Sequence, residues 1–197
     1  MSCFKILVIG ESSVGKTSLV HKIVYNQFDP NCRATISCDF KIKTLRKKGE
    51  IINLQMWDLA GQDRLGGLSK LYSRNSHGAI MVADICSPES MEKIHEWKKA
   101  VDEQVCDSKN RGIPMVLCLN KCDLGDISQD KVDSLREGYV QVFKTSALDG
   151  TNVENAISTL ADEIISDAPD LFVKKLKADH LQVYSKSIDN KRNRCCK

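Results

Sequence analysis

The sequence has no apolar run near the roughly 20 residues that a bilayer-spanning helix needs, so no such helix is expected. It also lacks a secretory layout at its start. The apolar stretch 4–9 is too short and runs straight into a glycine motif. Cys118 and Cys122 have no second Cys/His pair at zinc spacing, so they read as a strand thiol and a loop thiol rather than a metal pair. The nine cysteines are therefore expected to be reduced and cytosolic. No internal repeat and no low-complexity tract interrupts the 197 residues.

What remains fits a soluble globular chain, 42% hydrophobic and 28% charged, long enough for one domain with a real core. The charge is unevenly spread. Residues 167–197 hold eight basic and four acidic residues, a surplus of +4, while the whole chain carries +3. The body is thus near −1. A near-neutral body with a basic tail fits a membrane surface better than a nucleic-acid groove, and on charge alone it fits a merely solvated tail equally well.

Gly10-Glu11-Ser12-Ser13-Val14-Gly15-Lys16-Thr17 reads G-x-x-x-x-G-K-T, a phosphate-binding loop. An apolar strand precedes it, and Leu19, Val20, Ile23 and Val24 recur after it at helical spacing. Backbone N–H groups across Ser13, Val14, Gly15, Lys16, Thr17 and Ser18, with the positive end of a helix, suit a polyphosphate. Lys16 is placed to reach the β- and γ-phosphates and Thr17 to ligate Mg²⁺.

The rest alternates strand and helix. Segments 38–45 and 51–57 form a hairpin around Lys47-Lys48-Gly49-Glu50, with Phe40, Ile42 and Thr44 on one side and charges on the other. Residues 78–84 and 114–119 are buried strands, and 139–143 a last short one. Ser87-Pro88 caps a helix buried through Met91, Ile94, Trp97, Val101 and Val105. A weaker helix covers 130–136. Thr151 or Asn152 caps a final helix buried through Val153, Ile157, Leu160 and Ile164. The expected fold is α/β: a doubly wound, mostly parallel six-stranded sheet with one antiparallel edge strand and about five helices. The expected domains are 1–166 and a flexible tail, 167–197.

Two further motifs fall at strand ends. Asp58-Leu59-Ala60-Gly61-Gln62 supplies an acid for Mg²⁺, a glycine for close approach to a γ-phosphate, and a glutamine to orient water. Asn120-Lys121-Cys122-Asp123 supplies a carboxylate able to accept from guanine N1–H and the 2-amino group together; adenine has no such donor pair. The Lys121 stem can cover a base face. Thr145-Ser146-Ala147 can aim a backbone N–H at guanine O6.

These three motifs, in this order, resemble the Ras superfamily of small GTPases from residue 3 to about 166. The resemblance implies GTP/GDP and Mg²⁺ as ligands, slow hydrolysis to GDP and phosphate, and nucleotide-dependent switching. Spacing alone makes Phe28 a core residue and Thr35 a loop residue. The resemblance instead places Phe28 near the guanine and Thr35 on Mg²⁺ and the γ-phosphate. It assigns catalysis to Gln62, Lys16 and Thr35, and metal binding to Thr17, Thr35 and Asp58.

Within the superfamily the chain is similar to Rab proteins, through Arg33-Ala34-Thr35-Ile36-Ser37-Cys38-Asp39-Phe40 and Trp57-Asp58-Leu59-Ala60-Gly61-Gln62-Asp63-Arg64. The likeness makes Phe40, Trp57 and Tyr72 aromatics that effectors read. The arginine–alanine before Thr35, Leu59, and the long 109–113 connection resemble the Rab branch of lysosome-related organelles. Ser37, Cys38 and Leu65 depart from the usual glycine, branched apolar and aromatic residues beside the switches. The chain ends Cys195-Cys196-Lys197. Arg194 stands where a C-a-a-X box needs cysteine, so the pair resembles the Rab double-geranylgeranyl site. The implied partners are an exchange factor, a GTPase-activating protein, a GDP-dissociation inhibitor, a prenylation escort protein, effectors and a trafficking membrane, but no nucleic acid. A GTP-binding scaffold that does not cycle, or another Ras-superfamily signalling GTPase, is the alternative.

Overall fold

The computed structural model describes residues 2–32, 35, 38–61, 74–105 and 112–167. Its strands are β1 (Ser2–Ile9), β2 (Cys38–Lys47), β3 (Glu50–Leu59), β4 (Gly78–Asp84), β5 (Met115–Asn120) and β6 (Gln141–Lys144). The helical segments among the described residues are α1 (Lys16–Tyr25), α2 (Pro88–Glu92), α3 (Ile94–Gln104), α4 (Gln129–Ser134) and α5 (Val153–Asp167). The sheet runs β2-β3-β1-β4-β5-β6. Among the described residues only β2 is antiparallel to its neighbour, with Phe40 opposite Trp57. The expected six-stranded mixed sheet is therefore the one found.

Strand alternation splits the core in two. Phe4, Ile6 and Val8 of β1 face α1 and α5, together with Ile80, Val82, Val116, Ile157, Leu160 and Ile164. Leu7 and Ile9 face the other way, with Met81, Leu117, Leu119, Ile94, Trp97 and Val101. Period-two side chains on a strand covered on both faces must be apolar throughout, which is why β1, β4 and β5 read as continuous apolar runs.

Two local expectations shift, and a third, left open between two residues, is narrowed. The helix after Ser87 is two segments meeting at Lys93, whose backbone (φ −77°, ψ −6°) leaves the regular helical path. Met91 is only half-buried as a result, and Ala100 joins the buried face. The last strand begins at Gln141, because Gly138 (φ 76°) and the Tyr139 N–H bond to Arg136 O make a turn first. At the start of α5, Asn152 rather than Thr151 leads. Its carbonyl takes the Ala156 N–H at 3.0 Å, and its side-chain amide donates to Lys144 O at 2.9 Å.

The hairpin is inside out relative to a usual amphipathic strand. Phe40 and Ile42 of β2 are 44% and 45% exposed. Lys43 and Lys47, on its other side, turn toward the body. Lys43 Nζ donates to Ile23 O at 2.6 Å, at the end of α1. Lys47 Nζ pairs with Asp162 at 2.8 Å on α5.

Helix α5 is the largest apolar cover of the first core face, and Leu160 is fully buried there. Leu160→Ala should lower unfolding free energy by about 2–5 kcal/mol, from lost transfer energy and the cavity left behind. Urea unfolding of the two proteins measures it; a loss well under 1 kcal/mol would contradict this packing.

Candidate nucleotide and metal site

The loop after β1 is built by close approach. Gly10 has φ 137°, and a Cβ there would lie 2.1 Å from Val82 O, so no larger residue fits between β1 and β4. Gly15 has φ 93°, and its Cβ would lie 2.5 Å from Asn120 Nδ2. Ser13 holds a left-handed φ of 63° despite its side chain. Gly15 is the N-cap of α1 and brings no side-chain cap, so the first N–H groups of that helix are left for an anion. Ser18 is half-buried in the first turn and Val14 is buried beneath the loop.

Lys16 is buried and straps this loop. Its Nζ donates to Gly10 O at 3.0 Å and Glu11 O at 2.7 Å. Burial pushes its ammonium down to about 8, against the opposing pull of Asp58 and Glu11. A cation so poorly solvated is a strong receptor for phosphate oxygens.

Thr17, Thr35 and Asp58 come from α1, the loop before β2, and the end of β3, and they meet. Thr17 Oγ1 donates to Asp58 Oδ2 at 2.5 Å, and Thr35 Oγ1 lies 2.8 Å from Thr17 Oγ1 and 3.2 Å from Asp58 Oδ2. Asp58 is 1% exposed, and its Oδ1 has no hydrogen-bond partner among the described residues. Burial raises its carboxyl pKa, which the Thr17 bond and Lys16 oppose. An orphaned, desolvated carboxylate oxygen beside two hydroxyls fits a hard cation such as Mg²⁺. Gly61 closes the site from the side: its Cβ would fall 2.4 Å from Ser12 N and 2.6 Å from Lys16 Nζ.

At the other end of the cleft, Asn120 is buried. Its Nδ2 donates to Val14 O at 2.9 Å, and its Oδ1 accepts from Ala147 N at 3.2 Å. Lys121 (φ 64°) donates to Ser13 O at 3.0 Å and pairs with Asp84 at 2.7 Å. Asp123 is exposed and takes no hydrogen bond from any described residue. Ser146 is fully buried; its N–H goes to Thr151 O and its hydroxyl accepts from Asp149 N. The Ser146 and Ala147 N–H groups thus both have protein acceptors. Phe28 is exposed, as are Leu124 and Leu148, apolar side chains flanking the Asp123 and Ala147 loops.

The structure therefore gathers the described residues of all three motifs at the carboxyl ends of β1, β3, β5 and β6. Phe40 and Trp57 stack edge to face at 5.4 Å on the outer hairpin, with Lys5 Nζ 4.6 Å from the Trp57 ring centre. Cys118 lies inside β5, its thiol pushed up to about 12 by burial, and Cys122 is half-buried in the following turn. Gln62, Tyr72, Cys195 and Cys196, with Ser37 and Leu65, lie outside the described residues. Sequence reading missed Asp84, the partner of Lys121, and the Glu11 carboxylate, which is held from α3. Neither contact is local, so no motif spacing announces it.

A family model described as the Ras family matches residues 5–166. Ras-related protein Rab-32 of Homo sapiens is 35% identical over 98% of this chain and 89% of its own length. Ras-related protein Rab-10 of Diplobatis ommata is 34% identical over 98% and 95%. Ras-related protein Rab-13 of Rattus norvegicus is 37% identical over 82% and 80%. The match over residues 5–166 and these relatives over most of their length show that the chain belongs to the Ras family and is a Rab-like small GTPase.

Proposed function

We propose that this Rab-like GTPase of membrane trafficking binds guanine nucleotide across the cleft just described, hydrolyses GTP to GDP and phosphate slowly, and switches its effector surface with the nucleotide. The observation that carries this is the meeting of Thr17, Thr35 and Asp58 beside Lys16. Thr35 lies 18 residues from Thr17 and 23 from Asp58 in the chain, and its hydroxyl meets both. Mg²⁺ at this cradle would neutralise charge on the β- and γ-phosphates. Lys16 would supply positive charge to the same oxygens, and the uncapped start of α1, residues Gly15 to Ser18, would donate N–H groups to them. Gly61 lets its own backbone lie close against Ser12 and Lys16, beside the phosphate site, and Gln62 orients the attacking water.

Guanine is read by Asp123, whose carboxylate is exposed and takes no hydrogen bond from a described residue. Phe28 and the Lys121 stem flank the base. Asn120 acts indirectly, fastening the phosphate loop to the Ala147 loop. The Ala147 N–H bond to Asn120 is long enough at 3.2 Å to be shared with a second acceptor such as guanine O6.

The nucleotide-binding domain spans 1–166, and 167–197 is a spacer that delivers the protein to the cytoplasmic face of an intracellular membrane. Its basic residues attract an anionic leaflet, and prenyl groups on Cys195 and Cys196 anchor it. Among the described residues no helix is long and apolar enough to cross a membrane. Regulators and effectors of the kinds named above act on the Phe40, Trp57 and Tyr72 surface and on the switch loops. The arginine–alanine before Thr35, Leu59 and the 109–113 connection are the features that support an endolysosomal or lysosome-related membrane.

Hydrolysis is the test of the whole reading. Gln62→Leu should retain GTP binding and lose most of the turnover stimulated by an activating protein, by about 10³-fold or more. Single-turnover phosphate release measures it, and unchanged release would remove Gln62 from the mechanism. Asp123→Asn should shift preference from guanine to xanthine nucleotides, since an amide can donate to a 2-oxo group. Competition binding with the two diphosphates checks this, and retained guanine preference would show that another group reads the base. Changing Cys195 and Cys196 to Ser should leave nucleotide binding intact and move the protein from membrane to cytosol on fractionation. Unchanged pelleting would place the anchor elsewhere.

A further inference from the structure

Glu11 is an acid inside a loop made for anions, and the structure restrains it from a distance. Trp97 of α3 is 4% exposed, and its Nε1 donates to Glu11 Oε1 at 2.9 Å. Lys93, at the junction of α2 and α3, lies 3.4 Å from Glu11 Oε2 and 3.0 Å from Glu89. The same Glu11 offers its backbone carbonyl to Lys16 Nζ at 2.7 Å. Its carbonyl carbon lies 2.6 Å from where a Gly61 side chain would begin. Glu11 therefore sits where Lys16 and Gly61 converge, and both of its carboxylate oxygens are drawn outward to α3.

An unrestrained carboxylate on this loop would repel a polyphosphate in a poorly solvated cleft, and more strongly the more phosphate groups it met. We propose that Trp97 and Lys93 are positioning residues that hold the Glu11 carboxylate away from the phosphate site, and thereby set the balance between triphosphate and diphosphate binding. The inference rests on the guanine-nucleotide reading above. It makes the α2–α3 junction, which touches neither base nor metal cradle, a determinant of nucleotide-state preference. A charge-assisted indole bond to a carboxylate is strong and directional. Lys93 adds charge at the outer oxygen, and Glu89 holds Lys93 in reach.

The test uses the full chain and dissociation rates of fluorescent GDP and a non-hydrolysable fluorescent GTP analogue. Trp97→Phe keeps most of the buried ring and removes only the donor. Analogue release should quicken by about tenfold and GDP release by about twofold at most. Adding Glu11→Gln to Trp97→Phe removes the freed charge and should return the ratio of the two rates to the wild-type value. Equal acceleration for both nucleotides, or a ratio that stays shifted in the double variant, would mean that Trp97 only fills space. Should Trp97→Phe fold poorly, Lys93→Met carries the same question from a solvent-facing position. It should shift the ratio in the same direction, by a smaller amount that shrinks in high salt. An unshifted ratio there overturns the proposal. Wild-type protein that bound neither nucleotide would instead refute the guanine-nucleotide reading itself.

Discussion

The bond from Asn120 Nδ2 to Val14 O, 2.9 Å long and wholly buried, is the contact on which the site's shape depends. The phosphate loop and the loop after β6 lie more than 100 residues apart, and each sends one small apolar residue, Val14 and Ala147, into the same core. One amide takes hold of both, donating to Val14 and accepting from Ala147 and Thr145. Gly15 is absent of side chain because that amide passes against it. A buried side-chain amide is tolerated only when its donors and acceptors are used, and here that requirement fixes the distance between phosphate and base subsites.

Around that joint the protein keeps several groups short of solvation. Lys16 has two backbone carbonyls in place of water, and Asp58 has one oxygen satisfied and one not. Each shift in ionisation arises chiefly from burial rather than from a charged neighbour. The folded chain carries this desolvation cost on its own, so a ligand that supplies opposite charge at both points binds without first having to strip water from them.

Much of this was readable in the chain. The glycines, lysine and hydroxyl of the loop have a mechanism that works at fixed spacing, and continuous apolar runs identify strands covered on both faces. The site's motifs were legible for the same reason: each is local. What was hidden is non-local. Asn120 looked like part of a base reader, and its actual partners are 106 and 27 residues away. Trp97 looked like one more buried residue of a helical stripe, which it is, but its single polar atom reaches back 86 residues. The break at Lys93 also escaped, because the apolar spacing around it is uninterrupted while its backbone is not.

The outer strand β2 has a mechanical consequence. Lifting β3 would bring Ile52, Leu54 and Met56, all fully buried, into water. Lifting β2 would release lysines whose partners are carbonyls, hydroxyls and carboxylates, and water replaces all of these. The two strands of one hairpin thus differ in what resists their displacement. Of the side chains of β2 that turn inward with Lys43 and Lys47, Leu45 alone packs on the core, and the lysines beside it make contacts that water can replace. The molecule carries a compliant margin bolted to a stiff plate.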